Sequence, residues 1–113
     1  MARPYSSKFL LELDRANPKR LGVQLGKLCV EANLPISYVA QVFEVSRMSV
    51  HSWFRGSYIR DKNCSKIEMF MDAVNADLKH GGLPAPTHKY AKLYLDTVVK
   101  DKLNRSQQND NNN

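Results

Sequence analysis

The stretch Leu34–Gly56, LPISYVAQVFEVSRMSVHSWFRG, decides how this chain folds. It divides into two short helical patterns about a tight turn. Pro35 opens the first, since its fixed φ suits a helix start and its missing N–H has no intrahelical partner to lose there. Val39, Ala40 and Phe43 then share one inward face, and the small Ala40 leaves room for a second helix to cross close by. Ser46 stands where the N-cap of the second helix belongs, and Val50, Trp53 and Phe54 follow at i, i+3 and i+4. Two helices of this length cannot enclose a core alone, so the flanking sequence must supply the rest.

Upstream, Asn17–Ala32 reads NPKRLGVQLGKLCVEA, with Asn17 as N-cap, Pro18 at the first helical position, and Leu21, Leu25, Leu28, Cys29 and Ala32 on one stripe. Gly22 and Gly26 each weaken the isolated helix by about 1 kcal/mol but allow another helix to approach closely. A shorter helix runs from Ser6 or Ser7 to Ala16. Downstream, Asp61–His80 carries Ile67, Phe70, Met71, Val74 and Leu78 on one stripe, and Gly81-Gly82 stops it. Pro84 and Pro86 break the chain, after which Thr87 caps a last helix, to about residue 103, with Ala91, Tyr94, Leu95 and Val98 inward. No segment alternates with period 2 and no internal repeat is present. The predicted class is all-α: one compact bundle of about five or six helices over residues 1–103.

Residues 104–113 read NRSQQNDNNN, with no apolar side chain to repay ordering, and are expected to be a disordered tail. That tail holds one base and one acid, so the whole surplus of charge, 17 Lys and Arg against 11 Asp and Glu in 113 residues, sits on residues 1–103. Cys29 and Cys64 are the two cysteines, which makes neither a disulfide framework nor a paired zinc spacing. The longest early apolar run is Phe9-Leu10-Leu11, far short of a membrane span, so a cytoplasmic protein without membrane contact is expected. The N-x-S triplets at Asn63 and Asn104 then read as chance matches.

Removing the core positions of the second motif helix leaves Arg47, Met48, Ser49, His51, Ser52 and Arg55 on a polar outer face without an acid. Such a helix is of a size to enter the major groove of DNA, where Arg pairs with guanine, Ser bonds several base edges and Met touches the thymine methyl. Its N-terminus also offers backbone N–H groups to phosphate. Beyond Gly56, Arg60, Lys62 and Lys66 join Arg47 and Arg55, giving five bases against Glu44 and Asp61 over residues 44–66. Each phosphate so neutralised steepens the salt dependence of binding, and Tyr58 adds a hydroxyl.

With Ala40, Val45-Ser46-Arg47, Val50, Trp53 and Arg55-Gly56 in this spacing, residues 34–56 resemble the helix-turn-helix of Cro and lambda-repressor-like proteins. The likeness extends loosely over residues 17–80. It implies that residues 36–43 support a recognition helix, residues 46–54, docked across the major groove. It further implies base reading by Arg47, Met48 and Ser52 with His51 beside them, and phosphate contacts from Ser46 and Arg55. Ser49, Tyr58, Arg60, Lys62 and Lys66 complete the expected phosphate set. Taken singly, His51 reads equally as a surface residue and Met48 as a protein contact. The chain departs from the family twice. Glu44 replaces the usual turn glycine, so the turn either costs about 1 kcal/mol or takes another shape. Ile36 replaces a phosphate-contacting Gln.

The expected function is therefore a phage or other prokaryotic transcriptional regulator. It binds duplex DNA sequence-specifically, represses by occluding a promoter or operator, and acts as a homodimer without cofactor or metal. An enzyme is not expected: His51, His80 and His88 lack metal-ligand spacings, and no phosphate-cradling glycine loop is present. The competing class is a small basic phage or plasmid adaptor that modulates a host polymerase or nuclease. Its contact would be the last helix, where Tyr90, Leu93, Tyr94, Leu95, Val98, Val99 and Leu103 exceed one buried stripe.

Overall fold

Six α-helices follow one another in the computed structural model, which describes residues 5–101 and 103: α1 Ser7–Arg15, α2 Leu21–Ala32, α3 Ile36–Phe43, α4 Arg47–Phe54, α5 Asp61–His80 and α6 His88–Tyr94. A π-helical turn, Leu95–Val99, continues α6, and no strand occurs among the described residues. The radius of gyration, 13.6 Å, is close to that of a compact domain of this length. No helix among the described residues is long and apolar enough to cross a membrane. The expected tail at 104–113 lies outside the described residues.

Local chemistry sets most boundaries. Ser6, Ser46 and Thr87 cap α1, α4 and α6, each side-chain oxygen accepting from the backbone N–H three residues on. Gly81, at φ 90°, closes α5 in the left-handed conformation that glycine adopts without penalty. The α2 start differs from the sequence expectation of Asn17. Asn17 Oδ1 instead accepts from Lys19 N at 3.0 Å, Pro18 O accepts from Gln24 Nε2, and the helix begins at Leu21. A side chain that satisfies a nearby N–H in a turn competes with helix formation at that point.

The core is one cluster to which every helix contributes. Phe43 packs against Trp53 and Phe70 with ring centroids 5.7 and 5.1 Å apart, joining α3, α4 and α5. On the other side Tyr5 stacks on Phe9, and both lie against Phe54. The Tyr5 hydroxyl donates to Leu34 O at 2.6 Å, which ties the start of α1 to the end of α2. Burial raises the Tyr5 phenol and the Cys29 thiol well above their ordinary pKa values, so both are neutral core groups. Asn33 caps α2 at φ 60° while its Nδ2 donates to Ala85 O, and Ala85 N returns a bond to Ala32 O.

Gly22 sets the closest approach in the fold. A Cβ there would lie 2.0 Å from the carbonyl oxygen of Trp53, so α4 rests directly on the backbone of α2. Gly26 repeats this one turn on, 3.0 Å from side-chain carbons of Leu13 and Phe54. The last helix departs from expectation in register. Val99 is buried, whereas Val98 is 37% exposed. A π turn inserts an extra residue, so the inward stripe of Ala91, Tyr94 and Leu95 continues at 99 instead of 98.

Candidate nucleic-acid interface

Two short helices joined by Glu44-Val45-Ser46 form the centre of the candidate site. Glu44 is left-handed, φ 56° and ψ 42°, which decides between the two expectations for the turn: the glycine-like conformation is kept and a side chain bears its cost. Its N–H bonds Gln41 O, and Val45 N bonds Ala40 O, so the end of α3 is satisfied within the turn. Ile36, at the start of α3, is buried.

Because Val50, Trp53 and Phe54 are buried and α2 presents only Gly22 beneath Trp53, α4 is held by one side and shows the other to solvent. Arg47 and Ser52 are exposed, and Met48 is 75% exposed. Met48 and Ser52 stand four residues apart on one outer line of the helix, and Arg47 leads them at the helix start. A large apolar side chain left in water between a guanidinium and a hydroxyl is the feature of this strip that folding does not require. Trp53 and Phe54 are core, as their spacing implies.

His51 sits differently from its neighbours. Its ring makes an edge contact with Phe9 of α1 at 5.8 Å, and its Nδ1 is buried without a hydrogen-bond partner. Burial lowers its pKa, with smaller contributions from Arg55 and Arg47, so the ring is neutral at pH 7. Sequence periodicity places His51 on the outer face; α1, invisible to that periodicity, covers part of it.

The expected phosphate contacts separate into three places. Ser49, Tyr58, Arg60, Lys62 and Lys66 line one groove of about 450 Å³ between α4 and the start of α5, floored by Phe43 and Trp53. Tyr58 is 80% exposed at its side. Ser46 is the cap of α4; its Oγ accepts from Ser49 N and lies 3.0 Å from Ser49 Oγ. One hydroxyl proton is spent between the two serines and one remains for an outside acceptor. Arg55 lies apart, in a shallow depression with Glu12, Arg15 and Ala16. Arg15 thus adds a base that sequence reading did not select, as does Arg20, whose stem lies beside Gly56. Bases accordingly stand in two separate places, Arg60, Lys62 and Lys66 in the groove and Arg55 and Arg15 in the depression.

The groove also contains Glu44 and Asn63. Asn63 escaped the sequence reading because an Asn two residues into a polar helix start carries no signal of burial. Among the described residues, no three His, Cys, Asp or Glu side chains converge on a point that would hold a metal ion. A scan against protein-family models gives no match, and searches of curated proteins and of solved structures likewise find no significant similarity.

Proposed function

We propose that this chain binds duplex DNA sequence-specifically and regulates transcription, with α4 as the recognition helix of a Cro-like helix-turn-helix. The observation that carries the reading is the acid-free outer face of α4, where Arg47, Met48 and Ser52 are solvent-exposed, with bases in the two depressions that Ser49 and Arg55 help to line. Arg47 reads guanine bidentately, Met48 packs on a thymine methyl, and Ser52 bonds a base edge. The phosphates on one side of the major groove are held by Arg60, Lys62 and Lys66, and those on the other by Arg55, which fixes the register without reading sequence. His51 supports the strip from within through Phe9 and meets a base only at its outer edge. Repression follows by occlusion, because a protein seated in the major groove of a promoter excludes the polymerase from it.

A single recognition helix covers only a few base pairs, so useful specificity requires two copies a helical turn apart. The homodimer is formed through the last helix, a reading supported by Leu93, 62% exposed, and by Val98, which the π turn carries outward. The same apolar residues support the second reading, an adaptor that grips a host protein. A cytoplasmic prokaryotic or phage setting suits either.

Selection of bound sequences from a random duplex pool at physiological salt tests the reading. An enriched motif bound about 10³-fold or more tighter than scrambled DNA is expected, with half-site spacing read from it. Salt-sensitive binding with no enriched motif would reject specific regulation and leave the adaptor.

A further inference from the structure

We propose that His51 is a specificity determinant that offers DNA a single N–H donor: Nε2 carries the ring proton and faces a base edge, while Nδ1 stays bare against α1. This rests on the reading of α4 as a DNA recognition helix and deepens it at one position.

The His51 ring is half-buried, and its Nδ1 is the one buried side-chain polar atom without a hydrogen-bond partner among the described residues. The ring meets Phe9 edge-on, with centroids 5.8 Å apart and planes at 82°. Phe9 is itself packed against Tyr5 and Phe54, so the surface on which His51 rests is fixed. Burying a polar atom without a partner is destabilising, and native proteins rarely do so. A ring of carbon would fill the same space without that loss. The benefit of histidine therefore lies at its other nitrogen. Nε2 has no partner among the described residues either, yet it is not buried, so it opens to solvent.

The surroundings fix the proton. Arg47 and Arg55 stand four residues before and after His51, on one line of α4. Partial burial, and then the charges of Arg55 and Arg47, keep the ring neutral at pH 7. From α1, Phe9 brings neither charge nor acceptor; Glu12 lies with Arg55 in the shallow depression, and no hydrogen bond joins it to the ring. One nitrogen of a neutral imidazole carries the proton. An N–H held against Phe9 would be a buried donor without an acceptor, which is the rarer and costlier case, so the proton resides on Nε2. The exposed nitrogen then donates and cannot accept. In the major groove guanine presents two acceptors, adenine and thymine one each, and cytosine only an amino donor. His51 thus favours guanine and rejects cytosine at the base it meets. One turn of α4, about 6 Å, separates it from Arg47, so that base lies within about two base pairs of the one Arg47 reads.

The test uses the full chain, 15N-labelled. Long-range 1H–15N correlations of the histidine rings separate bare from protonated nitrogens, and His51→Phe identifies the His51 signals by their loss. At pH 7 a bare Nδ1 and a protonated Nε2 are expected. Duplex selection is then run on the wild type and on His51→Phe and His51→Gln. His51→Phe keeps a ring against Phe9 and removes the donor, so it should unfold at the same or higher urea concentration. It should also lose the preference for guanine over cytosine and bind the wild-type site about tenfold more weakly. His51→Gln, whose amide both donates and accepts, should shift that position toward adenine. A proton on Nδ1 overturns the proposal. So does a folded His51→Phe protein that selects the wild-type motif with wild-type affinity while Arg47→Ala changes it, and in that case the DNA reading stands. Should His51→Phe not fold, an unchanged motif with His51→Gln overturns it equally. Failure of the wild type to enrich any motif removes the DNA reading and this proposal with it.

Discussion

Replacing Gly22 by alanine should loosen the seat of α4 more than any other single methyl added to this protein. The new Cβ would lie 2.0 Å from the Trp53 carbonyl oxygen, 2.6 Å from its carbonyl carbon and 3.0 Å from its Cα. All three atoms are backbone, so no rotamer change relieves the contact. Relief requires α2 and α4 to separate by about 1 Å or more, opening gaps along a contact that includes Val23, Gly26 and Phe54. Overpacking of this kind costs about 1–3 kcal/mol, and a rigid backbone obstacle places Gly22 at the top of that range. Alanine returns about 1 kcal/mol through its better helix propensity. The net expectation is a loss of about 2 kcal/mol, a large share of the total for a domain of this size, and a Tm lower by about 10 °C. Urea unfolding followed by circular dichroism measures it. Gly82→Ala is the control, because a Cβ there meets Asp77 at ordinary contact distances and should change stability by less than about 1 kcal/mol. A Gly22→Ala protein as stable as wild type, or stabilised by the propensity gain alone, would refute the argument that α4 is seated on the α2 backbone.

Glu44→Gly should stabilise the fold by up to about 1 kcal/mol in the same assay, since glycine takes φ 56° without steric penalty though it loses more chain entropy on folding. Stability should fall as pH drops through and below the ordinary histidine range near 6.5. The unfolded chain binds a proton at His51 there while the folded state, with its lowered pKa, resists one; the decline should level off below the folded value and lose this component in His51→Gln. For DNA, Arg47→Ala should cost about 1–3 kcal/mol on the selected site and relax preference at one base pair, measured by competition titration. Arg60→Ala should weaken selected and random duplexes alike and flatten the salt dependence. Equal losses from both variants on both DNAs would contradict the division between base-reading and phosphate-holding residues.

The caps, the stops and the inward stripes were legible without coordinates. Ser46 and Thr87 act on N–H groups three residues away, Gly81 acts on its own φ, and a stripe such as Ile67, Phe70 and Val74 follows from helical periodicity. The outer strip of Arg47, Met48 and Ser52 was legible for the same reason, as what remains when the stripe is subtracted. The close-packing role of the α2 glycines was also readable as a type of contact, although its partner, the Trp53 carbonyl, was not.

Where the reading failed, a neighbour distant in sequence or an irregular turn intervened. The α2 start moved because Asn17 found a nearer N–H to accept, and Val98 left the core because a π turn changed the count. His51 was assigned to solvent by its own helix and covered by Phe9 of another. The five phosphate-contact candidates from Ser49 to Lys66 share a groove, yet Arg55, one residue after α4, lines a separate depression with Arg15. Asn63 is the sharpest case, since its type and position both read as surface. Sequence by itself determined which face of each helix is apolar, because that depends on spacing along one element. Tertiary structure decided which polar residues meet and which lose water, because that depends on how separate elements cross.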